Sequence, residues 1–194
     1  MGIRNCFYID DLLVLGSSRL EVIENDSVAK QTLRKAGWVV SDSKTLGPNQ
    51  RLKYLGLEID SVHMKFFIPV AKLEKIKSKI DDLLKSGSKV WVRKLASVVG
   101  LLQSCARALG PIVRFRTRSS YAAISSAVQS HGWDGFLFLS KECLEELTFW
   151  SLELEHLNGF PFSLSRSEVT MVSDVDIVSD ASNIGKDLDH LSFV

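Results

Sequence analysis

The sequence predicts an α+β fold, and three observations predict it. Residues 1–68 hold short β-rich runs at hairpin spacing, residues 69–157 change to apolar side chains at three- and four-residue steps, and a strand pattern returns at Val175–Ser182. Segment 5–15 runs apolar, then Asp10-Asp11, then apolar again, before Gly16-Ser17-Ser18. Asp is disfavoured inside strands, so the adjacent acids predict a hairpin with Asp10 and Asp11 at or beside its turn. Leu20, Ile23, Val28, Leu33 and Ala36 keep helical spacing over 19–36, with Gly37 as the C-terminal cap. Trp38–Val40 is a short strand candidate, and 41–50, with Gly47-Pro48, is a loop. Tyr54–Ile59 and Met64–Ile68 predict a second hairpin turning near Asp60-Ser61.

Pro69 opens the helical half. On a helix over 72–85, Leu73, Ile76, Ile80, Leu83 and Leu84 fall within about 100° of arc. Lys72, Lys75 and Lys79 line one flank, where their stems can cover apolar surface while the ammonium groups stay wet. A second helix is predicted over 91–109, ended by Gly110-Pro111, with further helical sequence over 112–126. A third runs from Ser140 as N-cap to Leu157, with Glu142, Glu145 and Glu146 in its early turns and Asn158-Gly159 as its stop.

Composition narrows the function classes. The chain has 194 residues, 45% hydrophobic, with 12 Gly, 4 Pro and 3 Cys, which excludes a fibre, a disulfide scaffold and a disordered tail. No apolar run reaches the roughly 20 residues of a membrane helix, and no signal peptide is evident, so no membrane partner is expected. Cys6, Cys105 and Cys143, without CxxC spacing, fit a reducing intracellular setting, cytoplasmic or nuclear rather than secreted. The net charge of +1 conceals an asymmetry: residues 65–118 carry 13 basic against 3 acidic side chains, residues 119–194 carry 3 against 12. The basic block suits a polyanion. Packing of the basic middle against the acidic tail explains the same asymmetry without a ligand.

The residues that carry chemistry begin with Tyr8-Ile9-Asp10-Asp11. Mg²⁺ takes hard oxygen ligands, and a polymerase uses two ions about 4 Å apart. Adjacent carboxylates on a rigid hairpin can serve such a pair; a polar β-turn explains the same four letters without a metal. The surrounding order of motifs is more specific. Phe7–Leu13 resembles the YxDD palm hairpin of reverse transcriptases, Leu33–Thr45 the next palm motif, and Tyr54–Ile59 the primer-grip hairpin. The basic helices from Lys72 to Arg118 stand where that family places its thumb and connection. Glu146–Gly159 resembles the lead into an RNase H domain and Val178–Ser182 that domain's first strand. The chain as a whole is most similar to the C-terminal half of a retrotransposon reverse transcriptase of the DIRS-like (tyrosine-recombinase) group.

That resemblance implies a palm remnant over 1–68, a helical basic thumb and connection over 69–160, and a truncated RNase H-like start over 161–194. It implies Asp10 and Asp11 as metal-binding carboxylates, Lys44 near the incoming triphosphate, and Tyr54, Leu55, Gly56 and Leu57 as primer grip. Asp180 would be the first metal-binding carboxylate of the RNase H portion. Lys72, Lys75, Lys79, Arg93, Lys94, Arg114, Arg116 and Arg118 would hold an RNA or DNA template–primer duplex, with Mg²⁺ as cofactor of the intact parent. The family takes another essential Asp, and the fingers, from sequence preceding the hairpin. After Asp180 the sequence departs from the family's Gly-Trp-Gly, and Asp187 and Asp189 are not at the spacing of later ligands. The expectation is therefore an RNA-directed DNA polymerase fragment inactive as an isolated chain, the alternative being a non-catalytic nucleic-acid-binding remnant that uses residues 65–118. Apolar faces around Phe7, Leu13 and Trp38 are expected to be partly exposed and to offer surfaces for association. Trp91, Trp133 and Trp150 are expected in the core, Cys6 buried, and His63, His131, His156 and His190 too scattered for a metal site.

Overall fold

Alternating apolar sequence broken by Asp10-Asp11 folds, in a computed structural model that describes residues 2–162, into a two-stranded antiparallel hairpin. Strand β1 (Arg4–Tyr8) pairs with β2 (Asp11–Leu15), Tyr8 opposite Asp11. Helix α1 (Arg19–Lys35) follows, started by Ser18, whose hydroxyl accepts the Glu21 amide at 3.2 Å, while the Glu21 carboxylate accepts from the Ser17 amide and hydroxyl at 2.7 and 2.8 Å. This reciprocal capping holds the Glu21 carboxyl below its ordinary pKa. Gly37, at φ 87°, ends the helix as its position predicts. Trp38–Val40 is not a strand: no strand pairs with it among the described residues, and Trp38 instead meets Phe7 edge-on at 6.1 Å.

The second β region is a meander rather than a single hairpin. Strands β3 (Arg51–Tyr54), β4 (Leu57–Asp60) and β5 (Lys65–Phe67) pair antiparallel in order, and β8 (Phe160–Pro161) adds to β5. The stretch expected to be one strand from Tyr54 is bent at Leu55 and Gly56, both at positive φ (49° and 74°), the signature of a type I′ two-residue turn. At the other end of β4 the buried Asp60 carboxylate accepts the Val62 and His63 amides and the His63 ring, each at 2.9 Å, which keeps its pKa below the usual range.

Helices α2 (Val70–Lys85), α3 (Val92–Ser104), α6 (Arg118–His131) and α7 (Lys141–Glu153) form a ring in which α2 packs on α3 and α7, and α6 on the same two. Their apolar stripes supply the core: Ile76, Ile80 and Leu83; Leu95, Val98 and Leu102; Ile124; Leu147 and Trp150. Each such side chain stabilises by about 1.5–3 kcal/mol when withdrawn from water. The helix expected over 91–109 breaks at Cys105, where the chain leaves α-geometry and restarts as α4 (Ala106–Leu109), followed by α5 (Ile112–Phe115). The Ser104 hydroxyl donates back to the Leu101 carbonyl at 2.7 Å, competing with helix continuation there. Two short strands, β6 (Lys89–Trp91) and β7 (Phe136–Phe138), pair in a separate ribbon. Helix α7 begins on Ser140 as expected and ends at Glu153, short of Leu157. The strand expected at Val175–Ser182 lies outside the described residues.

Candidate functional site

The tip of the first hairpin consists of Ile9 and Asp10, with Asp11 as first residue of the return strand. Ile9 sits at φ 50°, a region that a β-branched residue rarely adopts because its Cβ crowds the carbonyl. Asp10 and Asp11 are both exposed. A paired Mg²⁺ centre needs more oxygens than two neighbouring carboxylates provide, and no group of three His, Cys, Asp or Glu that could hold an ion occurs among the described residues. The carboxylates present do not by themselves fit two ions.

What the hairpin does have is a tether. The Tyr54 hydroxyl, from the end of β3, donates to the Cys6 carbonyl at 3.0 Å and approaches the Asp11 carbonyl at 3.4 Å. Desolvation of this phenol, then the neighbouring Cys6 side chain, pushes its pKa up to about 12. The β3–β4 turn is held from the other side by α2, where Lys72 Nζ reaches the Gly56 carbonyl at 3.4 Å. The two acids, the Tyr54–Leu57 turn and the first lysine of α2 are thus linked in series. Lys44 lies on a single 3₁₀ turn, Asp42–Lys44, and is exposed, with no hydrogen bond or ion pair to Asp10 or Asp11. Asp180 lies outside the described residues.

The basic residues divide by partner. Lys75, Lys79, Lys94, Arg114 and Arg118 make no ion pair or side-chain hydrogen bond among the described residues, and on α2 the spacing of Lys72, Lys75 and Lys79 puts them on one face. Arg93 is engaged with Asp134 at 2.7 Å, and the Arg116 guanidinium lies 4.5 Å from the Phe149 ring centre. Arg114, Arg116 and Arg118 share the turn between α5 and α6, which α7 pins from inside. Glu146 is buried, and its carboxylate accepts the Ser119 amide at 2.8 Å, the Ser120 amide at 2.9 Å and the Ser120 hydroxyl at 2.7 Å, while Trp150 Nε1 donates to the Arg116 carbonyl at 2.7 Å. A carboxylate on the first amides of α6 is favoured by the helix dipole.

Sequence reasoning placed Glu146 in the early turns of its own helix, where it does lie, but had no signal that it also caps another. It placed Cys6 inside, but Cys6 is exposed, since β1 has no covering layer among the described residues. Of the tryptophans, Trp150 is core, but Trp91 and Trp133 are half exposed. Tyr54 as the tie between hairpins had no local signal, its partners being 43 and 48 residues away.

A hairpin tipped by two acids, a meander tied to it and a ring of helices beyond define a reverse-transcriptase-like fold. Neither a protein-family model nor a curated protein matches this sequence. Among solved structures, the chain is similar to the foamy viral protease-reverse transcriptase in complex with an RNA/DNA hybrid, with a TM-score of 0.58 and 21% identity over 80% of this chain and 19% of that one. It is likewise similar to the foamy viral protease-reverse transcriptase dRH in complex with double-stranded DNA, with a TM-score of 0.54 and 21% identity over 78% of this chain and 24% of that one. This chain therefore spans about a fifth to a quarter of the length of those enzymes. Among its described residues no helix is long and apolar enough to cross a membrane.

Proposed function

We propose that this chain is the primer-handling part of an RNA-directed DNA polymerase of retrotransposon origin, similar in motif order to the DIRS-like group. The observation that supports this reading is the Tyr54 bridge, which ties the Tyr54–Leu57 turn to the acidic hairpin. In this reading Asp10 and Asp11 are metal ligands of the intact enzyme, whose Mg²⁺ ions supply charge stabilisation for nucleotidyl transfer. Lys44 serves the triphosphate, Tyr54–Leu57 place the primer end, and Asp180 belongs to an RNase H-like portion. The duplex is held through phosphates by Lys72, Lys75, Lys79, Lys94, Arg114 and Arg118; Arg93 and Arg116 already have internal partners and contribute less. The exposed apolar side chains Phe7, Leu20, Ile23 and Trp38 are surface for association with the remainder of the enzyme. Because the described carboxylates are too few for two ions, the isolated chain binds template–primer without extending it.

The test is a labelled hairpin template–primer titrated with purified chain across salt, then supplied with Mg²⁺ and nucleotides. The expected result is binding whose log affinity falls steeply with log salt, weakened by Lys75→Glu and Lys79→Glu, and no extension. Extension lost on Asp10→Ala would overturn the inactivity; binding indifferent to both charge reversals would overturn the proposed surface.

A further inference from the structure

The β6–β7 ribbon lies apart from the acidic hairpin and belongs to none of the roles above. Its register sets Lys89 opposite Phe138, Val90 opposite Leu137 and Trp91 opposite Phe136. Side chains alternate across a ribbon, so the middle pair faces one way and the outer pairs the other. Val90 and Leu137 are buried in the core, whereas Trp91 is 48% exposed, Phe136 43% and Phe138 70%. One face of a two-stranded ribbon thus presents three aromatic rings and a lysine to solvent. Trp133, in the loop before β7, is 49% exposed.

The platform is rigidly held. The ladder continues past both ends, Val92 donating to Gly135 at 3.1 Å and Leu139 to Ser88 at 2.7 Å. Trp91 meets Phe136 edge-on at 5.2 Å, and Lys89 Nζ lies 4.8 Å from the Phe136 ring centre. Beside it opens a cavity of about 580 Å³, bordered by Lys89, Phe136, Ser126, Ser130 and His131, so the apolar rings adjoin polar groups. Lys89 is the cation on this face and has no acidic partner among the described residues, while Asp134, in the loop before β7, is paired with Arg93 at 2.7 Å. Rigid rings interleaved with a cation suit a polyanion with accessible π-faces, and only unpaired bases offer those faces.

We infer that the outward face of the β6–β7 ribbon binds single-stranded nucleic acid, with bases stacked on Trp91, Phe136 and Phe138 and Lys89 at a phosphate. This is separate from the duplex surface on α2 and the α5–α6 turn, and its chemistry is sequence-tolerant stacking rather than base-edge readout.

The experiment is fluorescence anisotropy of labelled single-stranded oligothymidylate and of a labelled blunt duplex against the full chain. Trp91→Ala and Phe138→Ala should each weaken single-strand binding by about fivefold to a hundredfold and leave duplex affinity within about twofold. Phe138→Leu, which keeps the apolar bulk without the ring, should lose nearly as much as Phe138→Ala. Lys75→Glu should show the opposite pattern, so failure of the duplex reading is visible separately. Matching thermal unfolding curves establish that these variants fold. Absent single-strand binding by the unmodified chain, unchanged affinity in the ring variants, or equal loss for duplex and single strand would overturn the proposal. So would self-association dispersed by Phe138→Ala but retained in Phe138→Leu with single-strand affinity intact, which would make the face a protein contact.

Discussion

Between residues 2 and 56 no side chain is buried, although the stretch contains a regular hairpin and a 17-residue helix with apolar spacing; every buried residue described lies between Leu57 and Leu154. The two regions obey the same local rules of capping, turn chemistry and periodicity. They differ in partners. The stripe of α2 finds α3 and α7, whereas α1 makes its main packing contact with β2, leaving Leu20, Ile23 and Val28 exposed. Periodicity thus specifies which face of an element is apolar, and only a second surface turns that face into stability. The adjacent acids Asp10 and Asp11 sit on the region without such a surface, and the buried core sits in the helical ring.

The contrast is broken or sharpened most strongly by core truncation. Leu95→Ala should cost about 2–5 kcal/mol in urea unfolding, while Leu20→Ala should stay within about 0.5 kcal/mol; equal costs would place α1 inside the cooperative unit. Next comes Glu146→Ala, which strands the half-buried Ser119 amide and the buried Ser120 amide and hydroxyl at the start of α6 and should cost about 2–3 kcal/mol, with Glu146→Gln recovering part. Tyr54→Phe removes the tie between hairpins and should cost about 0.5–1.5 kcal/mol, seen as faster amide exchange in 4–15 without change in α2 or α3. The same tie has an alkaline limit. Because the folded Tyr54 pKa is raised to about 12 from an ordinary 10, its contribution is complete below pH 10 and lost as pH climbs through 12, a loss absent in Tyr54→Phe. The smallest effect is acidic. The Asp60 carboxyl is held below its ordinary pKa, so its contribution is present above about pH 4 and disappears as pH falls further. The stability difference between the unmodified chain and Asp60→Asn should shrink over that interval.

What was legible in the sequence follows from range. Gly37 and Ser140 act on groups within four residues, and both caps stand where the sequence puts them; the Ser18 cap is just as local but was not singled out. The acidic pair at a hairpin tip is equally local. The β6–β7 ribbon was invisible because three-residue strands show only one out-in-out alternation, in Lys89-Val90-Trp91 and again in Phe136-Leu137-Phe138, and neither signals its partner. Glu146 has the same helical context as Glu142 and Glu145; only the approach of α6 makes it an internal cap. The bend at Leu55-Gly56 carried a signal in its glycine, outweighed by the apolar run around it.

The Asn158 side chain accepts from the Ile68 amide at 2.7 Å and donates to the Ile68 carbonyl at 3.4 Å, across 90 residues, just before β8 completes the sheet. During synthesis Ile68 emerges long before Asn158, so a nascent chain carries an unfinished sheet until the ribosome has released almost all of the described sequence. The clasp makes closure of this sheet wait for a segment synthesised 90 residues later, and a chain stopped at residue 157 would lack its latch.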